Sequence, residues 1–179
     1  EGGAVVCHDA ATKKQIDYLK NFGFVGETKV VAPGINSKMN EMQAALGLLQ
    51  LKKHNLNIEK RSTLAQTYRK ELQKIKGISF LPEPYNTKSN FAYFPIFVDK
   101  NKFGMSRDEL YEKLKQNGIY GRRYFYPLIS ELTNYKKLNS ADPANLQVAK
   151  RVAEQVICLP IYPGLNKKEI KKIAGILNK

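Results

Sequence analysis

Apolar residues change their spacing several times along the chain, and each change marks an element. Ala4 to Cys7 is a short run rich in β-branched residues and predicts a strand. Thr12-Lys13-Lys14-Gln15 then has the pattern of a capping box, predicting a helix with a buried stripe of Ile16 and Leu19 and terminators at Asn21 and Gly23. From Gly26 to Ser37, with Pro33-Gly34 inside it, periodicity is lost, and a loop of this length hints at function. From Met39 to about Ile75 Gly47 is the sole glycine and proline is absent, and strong helix formers such as Ala44, Ala45, Leu46 and Leu49 dominate. One long helix, or two end to end, follows. Its first half is apolar nearly all round and is expected to be buried. The half from Lys52 to Lys76 is amphipathic through Leu56, Leu64, Tyr68 and Leu72.

After Gly77 the elements shorten. Ile78 to Leu81 and Phe91 to Val98 read as strands. Ser106 to Glu109 is a second capping box, Leu110 and Leu114 share a helix face, and Gly118 predicts a left-handed stop. A strand is expected from Ile119 to Tyr124. Asp142-Pro143 is expected to open a helix with a stripe of Val148, Val152 and Ala153, followed by a buried strand from Val156 to Leu159. Asn166 with Glu169 caps a last helix carrying Ile170, Ile173 and Leu177. Strands interleaved with helices give an α/β class, with an α+β small domain in which at least three strands are covered by helices.

Composition alters this picture only in places. The chain has 179 residues, 42% of them hydrophobic and 26% charged, enough for one globular domain or a domain with part of another. A bilayer-spanning run of about 18 apolar residues is lacking, so a soluble chain is expected. Thirty basic against 16 acidic residues give a net charge of +14, which raises nucleic acid as a partner. The basic residues are spread out, however, and the clusters Lys167, Lys168, Lys171, Lys172 and Lys70, Lys74, Lys76 have helical spacings that read as solvated faces. Cys7 and Cys158 stand far apart in apolar surroundings, fitting reduced thiols and a cytoplasmic setting. The start at Glu1, without Met or leader, is expected to belong to something longer.

Self-contained catalytic chemistry is scarce. His8 and His54 lack a neighbouring carboxylate or nucleophile pattern and read as surface or capping residues, and no metal-ligating or P-loop spacing occurs. Two segments stand out. Pro33 to Lys38 runs into a helix through Met39-Asn40-Glu41, where polar side chains and free amides can hold an anion or simply cap the helix. Tyr120-Gly121-Arg122-Arg123-Tyr124-Phe125-Tyr126-Pro127-Leu128 places two arginines among aromatics. That combination suits a phosphate- and base-bearing ligand, or equally a strand with core aromatics and solvated arginines.

Five motifs in order, Glu1-Gly2-Gly3-Ala4-Val5-Val6, Asn21-Phe22-Gly23, the run from Gly34 to Leu48, Arg123-Tyr124-x-x-Pro127-Leu128, and Leu159-Pro160-Ile161-Tyr162-Pro163-Gly164-Leu165, resemble the pyridoxal-phosphate-dependent nucleotide-sugar aminotransferases of the DegT/DnrJ/EryC1/StrS family. The resemblance implies the C-terminal part of a fold-type I transferase. Residues 1–57 would end the large cofactor domain and its dimer contact, and residues 58–179 would form the small domain. It places Glu1 just after the cofactor-binding lysine motif, so that no catalytic residue is expected in this chain and the chain alone is expected to be inactive. Asn36 would reach the pyridoxal phosphate of the neighbouring subunit. Tyr124 would lie by the sugar, and Arg122, Arg123 and Lys38 would be candidates for the nucleotide phosphates or the site rim. Ile129 stands where many members have histidine, so a substrate contact by that histidine is not carried over, and the string from Arg122 to Leu128 is similar to that of members acting on thymidine-diphosphate 4-keto-6-deoxyhexoses. The implied partners are a nucleotide sugar, glutamate and a second subunit, without nucleic acid or membrane, in cell-surface polysaccharide (lipopolysaccharide, O-antigen) synthesis. A sugar dehydratase or regulatory member of the family is the alternative, and after it a basic nucleic-acid-binding domain.

Overall fold

The computed structural model describes residues 2–83 and 85–178. The chain divides into two compact units, Glu1–His54 and Asn55–Lys179.

In the first unit Ala4 to Cys7 is extended but forms no strand, because it meets no ladder partner among the described residues; Val5 and Val6 are exposed. Helix α1 (Ala10–Leu19) starts two residues before the predicted cap. Asp9, not Thr12, is the N-cap, and its carboxylate accepts from the Thr12 amide at 2.7 Å and the Thr12 hydroxyl at 2.8 Å. The ionised carboxylate outcompetes a threonine hydroxyl for the free amides of the first turn. Ile16 is half-buried and Leu19 exposed, so the stripe is weaker than its spacing promised. The predicted loop contains a two-stranded antiparallel hairpin, β1 (Phe24–Val25) with β2 (Lys29–Val30). Its return arm is strapped to the end of α1: the Ile35 amide donates to the Leu19 carbonyl at 2.8 Å and the Ser37 amide to that of Lys20 at 3.0 Å. Gly34 permits this approach, since a Cβ there would lie 2.4 Å from the Gly23 nitrogen.

The long helical region is two helices, α2 (Glu41–Lys52) and α3 (His54–Leu72), broken at Lys53. The expected burial of the first half is not met, as α2 has no buried residue. Its apolar side chains project in every direction, and a unit of this size covers no helix on all sides. In α3 the stripe is real at Leu64, Tyr68 and Leu72, whereas Leu56 is exposed.

The second unit is built on a three-stranded antiparallel sheet in the order β3 (Ile78–Ser79), β4 (Phe94–Val98), β5 (Val156–Leu159). Phe94, Ile96 and Val98 alternate inward along β4, and all four residues of β5 are buried. Helices α3, α5 (Arg107–Gln116) and α7 (Lys167–Leu177) supply one core with Ile157 and Leu159. Val156 and Cys158 alternate to the other face, where Ala153 of α6 (Gln147–Gln155) is also buried. The short helix α4 (Lys100–Phe103) follows β4. The expected α+β sandwich of strands under helices is therefore present, and both later capping boxes, Ser106 with Glu109 and Asn166 with Glu169, form with their predicted stripes fully buried. Gly118 takes the left-handed conformation, φ 73°.

β4 begins at Phe94 rather than at the expected Phe91. Three further elements need correction. β3 ends at Ser79 rather than Leu81, since continuing its register would set Leu81 opposite Pro95, which has no N–H to pair. Ile119 to Tyr124 is not a strand; it makes one bridge, with the Arg122 amide donating to the Cys158 carbonyl at 3.0 Å and the Cys158 amide to the Arg122 carbonyl at 2.7 Å. Both backbone groups of Cys158 thus point away from β4. Pro95, its register partner there, consequently removes no ladder bond between β4 and β5. Asp142-Pro143 opens only a 3-10 turn (Pro143–Asn145), and α6 begins afterwards with Val148 exposed. The proline fixes the first turn but supplies no apolar face to continue it.

Tyr68 is fully buried, its ring stacked on Phe94 at 4.8 Å between centroids, and its hydroxyl donates to the Pro160 carbonyl at 2.9 Å. Burial pushes this phenol well above its ordinary range, so it stays a donor. Replacing Tyr68 with Phe orphans the Pro160 carbonyl and is expected to cost about 1–3 kcal/mol in urea unfolding, with an unchanged m-value.

Candidate functional site

The sequence-predicted residues fall into two groups, one in each unit. In the first, Asn36, Lys38 and Asn21 lie together. Asn36 bridges Asn21 through the backbone, Lys38 donates to the Asn21 side-chain oxygen at 2.8 Å, and its ammonium sits 4.9 Å from the Phe22 ring centre. Asn36 is exposed, and its side-chain amide makes no hydrogen bond among the described residues. The start of α2 is taken by the capping reading. Asn40 accepts from the Gln43 amide at 2.9 Å, Gln43 reaches back to Asn40, and Glu41 puts an acid in the first turn. Asn36 thus precedes the helix start and is presented by the strap on α1.

In the second unit Arg122 and Tyr124 share a cleft of about 170 Å³ with Ala92, Tyr93, Tyr120, Cys158 and Pro160. Each wall has a local cause. Period two along the β4 run sends Tyr93 to the face opposite Phe94, and its ring meets Tyr124 edge-on at 5.2 Å. The exchange of hydrogen bonds with Cys158 fixes Arg122, and the Tyr68 hydroxyl fixes Pro160. Burial pushes the Cys158 thiol up, prevailing over the hydrogen bond from the Tyr124 backbone, so the cleft holds a neutral thiol and not a thiolate nucleophile. A cationic fork beside two aromatic rings suits a ligand that joins phosphate to flat or sugar-like surfaces.

Arg123 faces elsewhere. It donates to the Asp108 carboxylate at 2.9 Å, and its guanidinium lies 4.4 Å from the Tyr111 ring centre and 5.4 Å from that of Tyr126. On the other side of the carboxylate is Arg107, only 2% exposed. Its Nε lies 2.7 Å from Asp108, while Nη1 donates to the carbonyls of Ala153 at 2.8 Å and Val156 at 3.1 Å. Its guanidinium stacks 4.6 Å from the centre of the Tyr126 ring. Sequence reasoning saw Arg107 and Asp108 only as capping-box filler. One signal was available: a cation in the first turn of a helix opposes the helix dipole and needs another reason to be there.

His8 and His54 are exposed, and both cysteines are free. Lys167, Lys168, Lys171 and Lys172 are exposed on α7 as their spacing predicts, whereas of the other cluster only Lys70 lies on a helix; Lys74 and Lys76 are exposed in the turns after α3. Among the described residues no group of three or more His, Cys, Asp or Glu could hold a metal ion, and no helix is long and apolar enough to cross a membrane.

Comparison with known proteins decides the family. The model of the DegT/DnrJ/EryC1/StrS aminotransferase family matches residues 1–178. This chain belongs to that family. It is 50% identical over 177 residues to a dTDP-4-amino-4,6-dideoxy-D-glucose transaminase of Escherichia coli, covering 99% of this chain and 47% of that protein. A transaminase of the same name from Shigella dysenteriae is 40% identical over the same shares of each chain. Among solved structures, DesI in the presence of its TDP-sugar product superposes with a TM-score of 0.83 at 30% identity, over 97% of this chain and 43% of that one. The chain spans about half the length of the curated relatives it matches.

Within this family member, Asp108 gives a measurable pH dependence. Burial alone would raise its pKa, but the Arg123 hydrogen bond and the charges of Arg107 and Arg123 outweigh it and hold the carboxyl below the ordinary 3.8. A depressed folded value means the stabilisation is complete above 3.8 and is lost as pH falls through the lower folded value. Melting temperatures of the wild type and Asp108→Asn are expected to differ at about pH 6 and to converge below about pH 3.

Proposed function

We propose that this chain serves a pyridoxal-phosphate-dependent aminotransferase that moves an amino group from glutamate to a nucleotide-linked 4-keto-6-deoxy sugar. The observation that carries this reading is the cleft lined by Arg122 together with Tyr124 and Tyr93, whose rings meet edge-on, in a family whose similar members are named transaminases of a dTDP-linked amino sugar. In this reading Arg122 takes the nucleotide phosphates and Tyr124 packs on the sugar. Arg123, committed to Asp108, contributes at the rim through the position of the loop rather than by direct charge. Lys38 serves at the rim of the cofactor site, held there by Asn21.

The residues of the first unit fit the cofactor. Asn36 has an unengaged amide, and backbone bonds of Ile35 and Ser37 fix the chain on either side of it, so it can donate to a phosphate or ring oxygen without reorganising. Bound pyridoxal phosphate supplies the electron sink for amino-group transfer, and the chain contributes binding and orientation. In this reading no residue of this chain is assigned as the lysine that links the cofactor. The apolar side chains exposed along α2, Met42 at 82% and Leu51 at 68% among them, support a homodimer contact through that helix. Cytoplasmic synthesis of a lipopolysaccharide or O-antigen precursor is the setting that this substrate class suits.

The purified chain, given glutamate, added cofactor and a thymidine-diphosphate 4-keto-6-deoxyhexose, is expected to form no amino sugar; product detected by mass spectrometry would refute the assignment of the linking lysine. In the complete enzyme Asn36→Ala is expected to weaken cofactor retention by about tenfold, the loss of one hydrogen bond to a charged group. Unchanged retention on dialysis, followed by the cofactor's absorbance, would remove Asn36 from the site.

A further inference from the structure

The loop that carries Arg122 and Tyr124 has almost no regular structure of its own, yet three fixed points hold it. At its start the Arg122 backbone pairs with Cys158 on the edge of β5. One residue on, the Arg123 side chain reaches Asp108 in the first turn of α5. At its end the Tyr126 ring lies beside two guanidinium groups, Arg107 at 4.6 Å and Arg123 at 5.4 Å. Tyr124 sits between the second and third points. Arg107 does not move with the loop, because its Nη1 donates to the Ala153 and Val156 carbonyls and its side chain is buried.

Two guanidinium groups sharing one aromatic ring repel each other unless a negative charge separates them. Asp108 is that charge, with one carboxylate oxygen, Oδ1, 2.7 Å from Arg107 Nε and 2.9 Å from Arg123 Nη1. We propose that Asp108 is a positioning residue that clamps the loop through Arg123 and Tyr126, and thereby sets the direction in which Arg122 and Tyr124 face the cleft. This rests on the functional reading above for its effect on substrate, though not for the clamp itself. Asp108 touches no lining group of the cleft and acts through its two arginines. With Asp108 neutralised, Arg107 keeps its two carbonyl partners and stays. Arg123, half-exposed and left against a second cation, swings to solvent and frees Tyr126.

The decisive variant is Asp108→Asn, isosteric and at a side chain about half exposed, in the complete enzyme. Amide hydrogen exchange reads the clamp without any ligand. Residues 122–126 are expected to exchange about tenfold faster than in the wild type, while β4 and β5 are unchanged. KM for a thymidine-diphosphate 4-keto-6-deoxyhexose is expected to rise about tenfold with kcat within about twofold, the mark of lost ground-state positioning. Arg123→Gln should reproduce both effects, and the double variant should be no worse than either single one, because all three break the same link. Unchanged exchange in 122–126 overturns the clamp. Faster exchange with an unchanged KM overturns its role in positioning. Should the wild type not convert the ketosugar at all, the functional reading falls, and the clamp then stands or falls on the exchange result alone.

Discussion

A strand buried on both faces has nowhere to send its backbone groups except sideways, and β5 answers this demand in a way that builds the cleft. One edge pairs with β4; on the other, the amide and carbonyl of Cys158 require a partner that the short sheet does not supply. Arg122 is recruited there. The carbonyl of Val156, at the entry of β5, takes Arg107, and that of Pro160, just past its exit, takes Tyr68. β5 and the residue that follows it therefore fix Arg122 and Pro160 on the wall of the cleft and anchor Arg107 beside it. Satisfying backbone polarity and positioning ligand-facing side chains are here one and the same constraint.

What the sequence made legible follows from how local the cause is. The capping boxes at Ser106 and Asn166, the stop at Gly118 and the stripes of α5 and α7 depend on residues within a turn or two of each other, and they form as read. Apart from the cap of α1, taken by Asp9, and the short turn at Asp142-Pro143, the failures involve partners distant in the chain. Ala4 to Cys7 has the composition of a strand without a neighbour. Ile119 to Tyr124 has strand composition too, but meets β5 at a single residue. β3 stops early because of a proline in the strand opposite. α2 has the apolar content of a core helix in a unit too small to surround it.

The candidate site divides along the same line. Asn36, Lys38, Arg122 and Tyr124 could be named because they fall within segments resembling a family, and Arg122 and Tyr124 do share a cleft. The motif could not reveal that the adjacent arginines point to different tasks. Neighbours in an extended segment project to opposite sides, so Arg122 faces the cleft while Arg123 faces α5. Asp108 and Arg107 escaped notice because their partners, Ala153, Val156 and Arg123, are 15 to 49 residues away. The charge of +14 was the least informative feature, since the lysines of the two clusters are spread over exposed helix and turn positions.

Pro95 has an effect beyond the register it imposes. β3 covers β4 only at Phe97 and Val98, so the flank of β4 beyond that point is an unpaired rim of the sheet. On this flank the outward-facing amide would be that of residue 95, and proline has none. A strand from another molecule seeking to extend the sheet finds no donor to dock on, in the manner by which edge strands are kept from self-association. The same imino ring that shortens the sheet also guards the molecule against aggregation beside its own cleft.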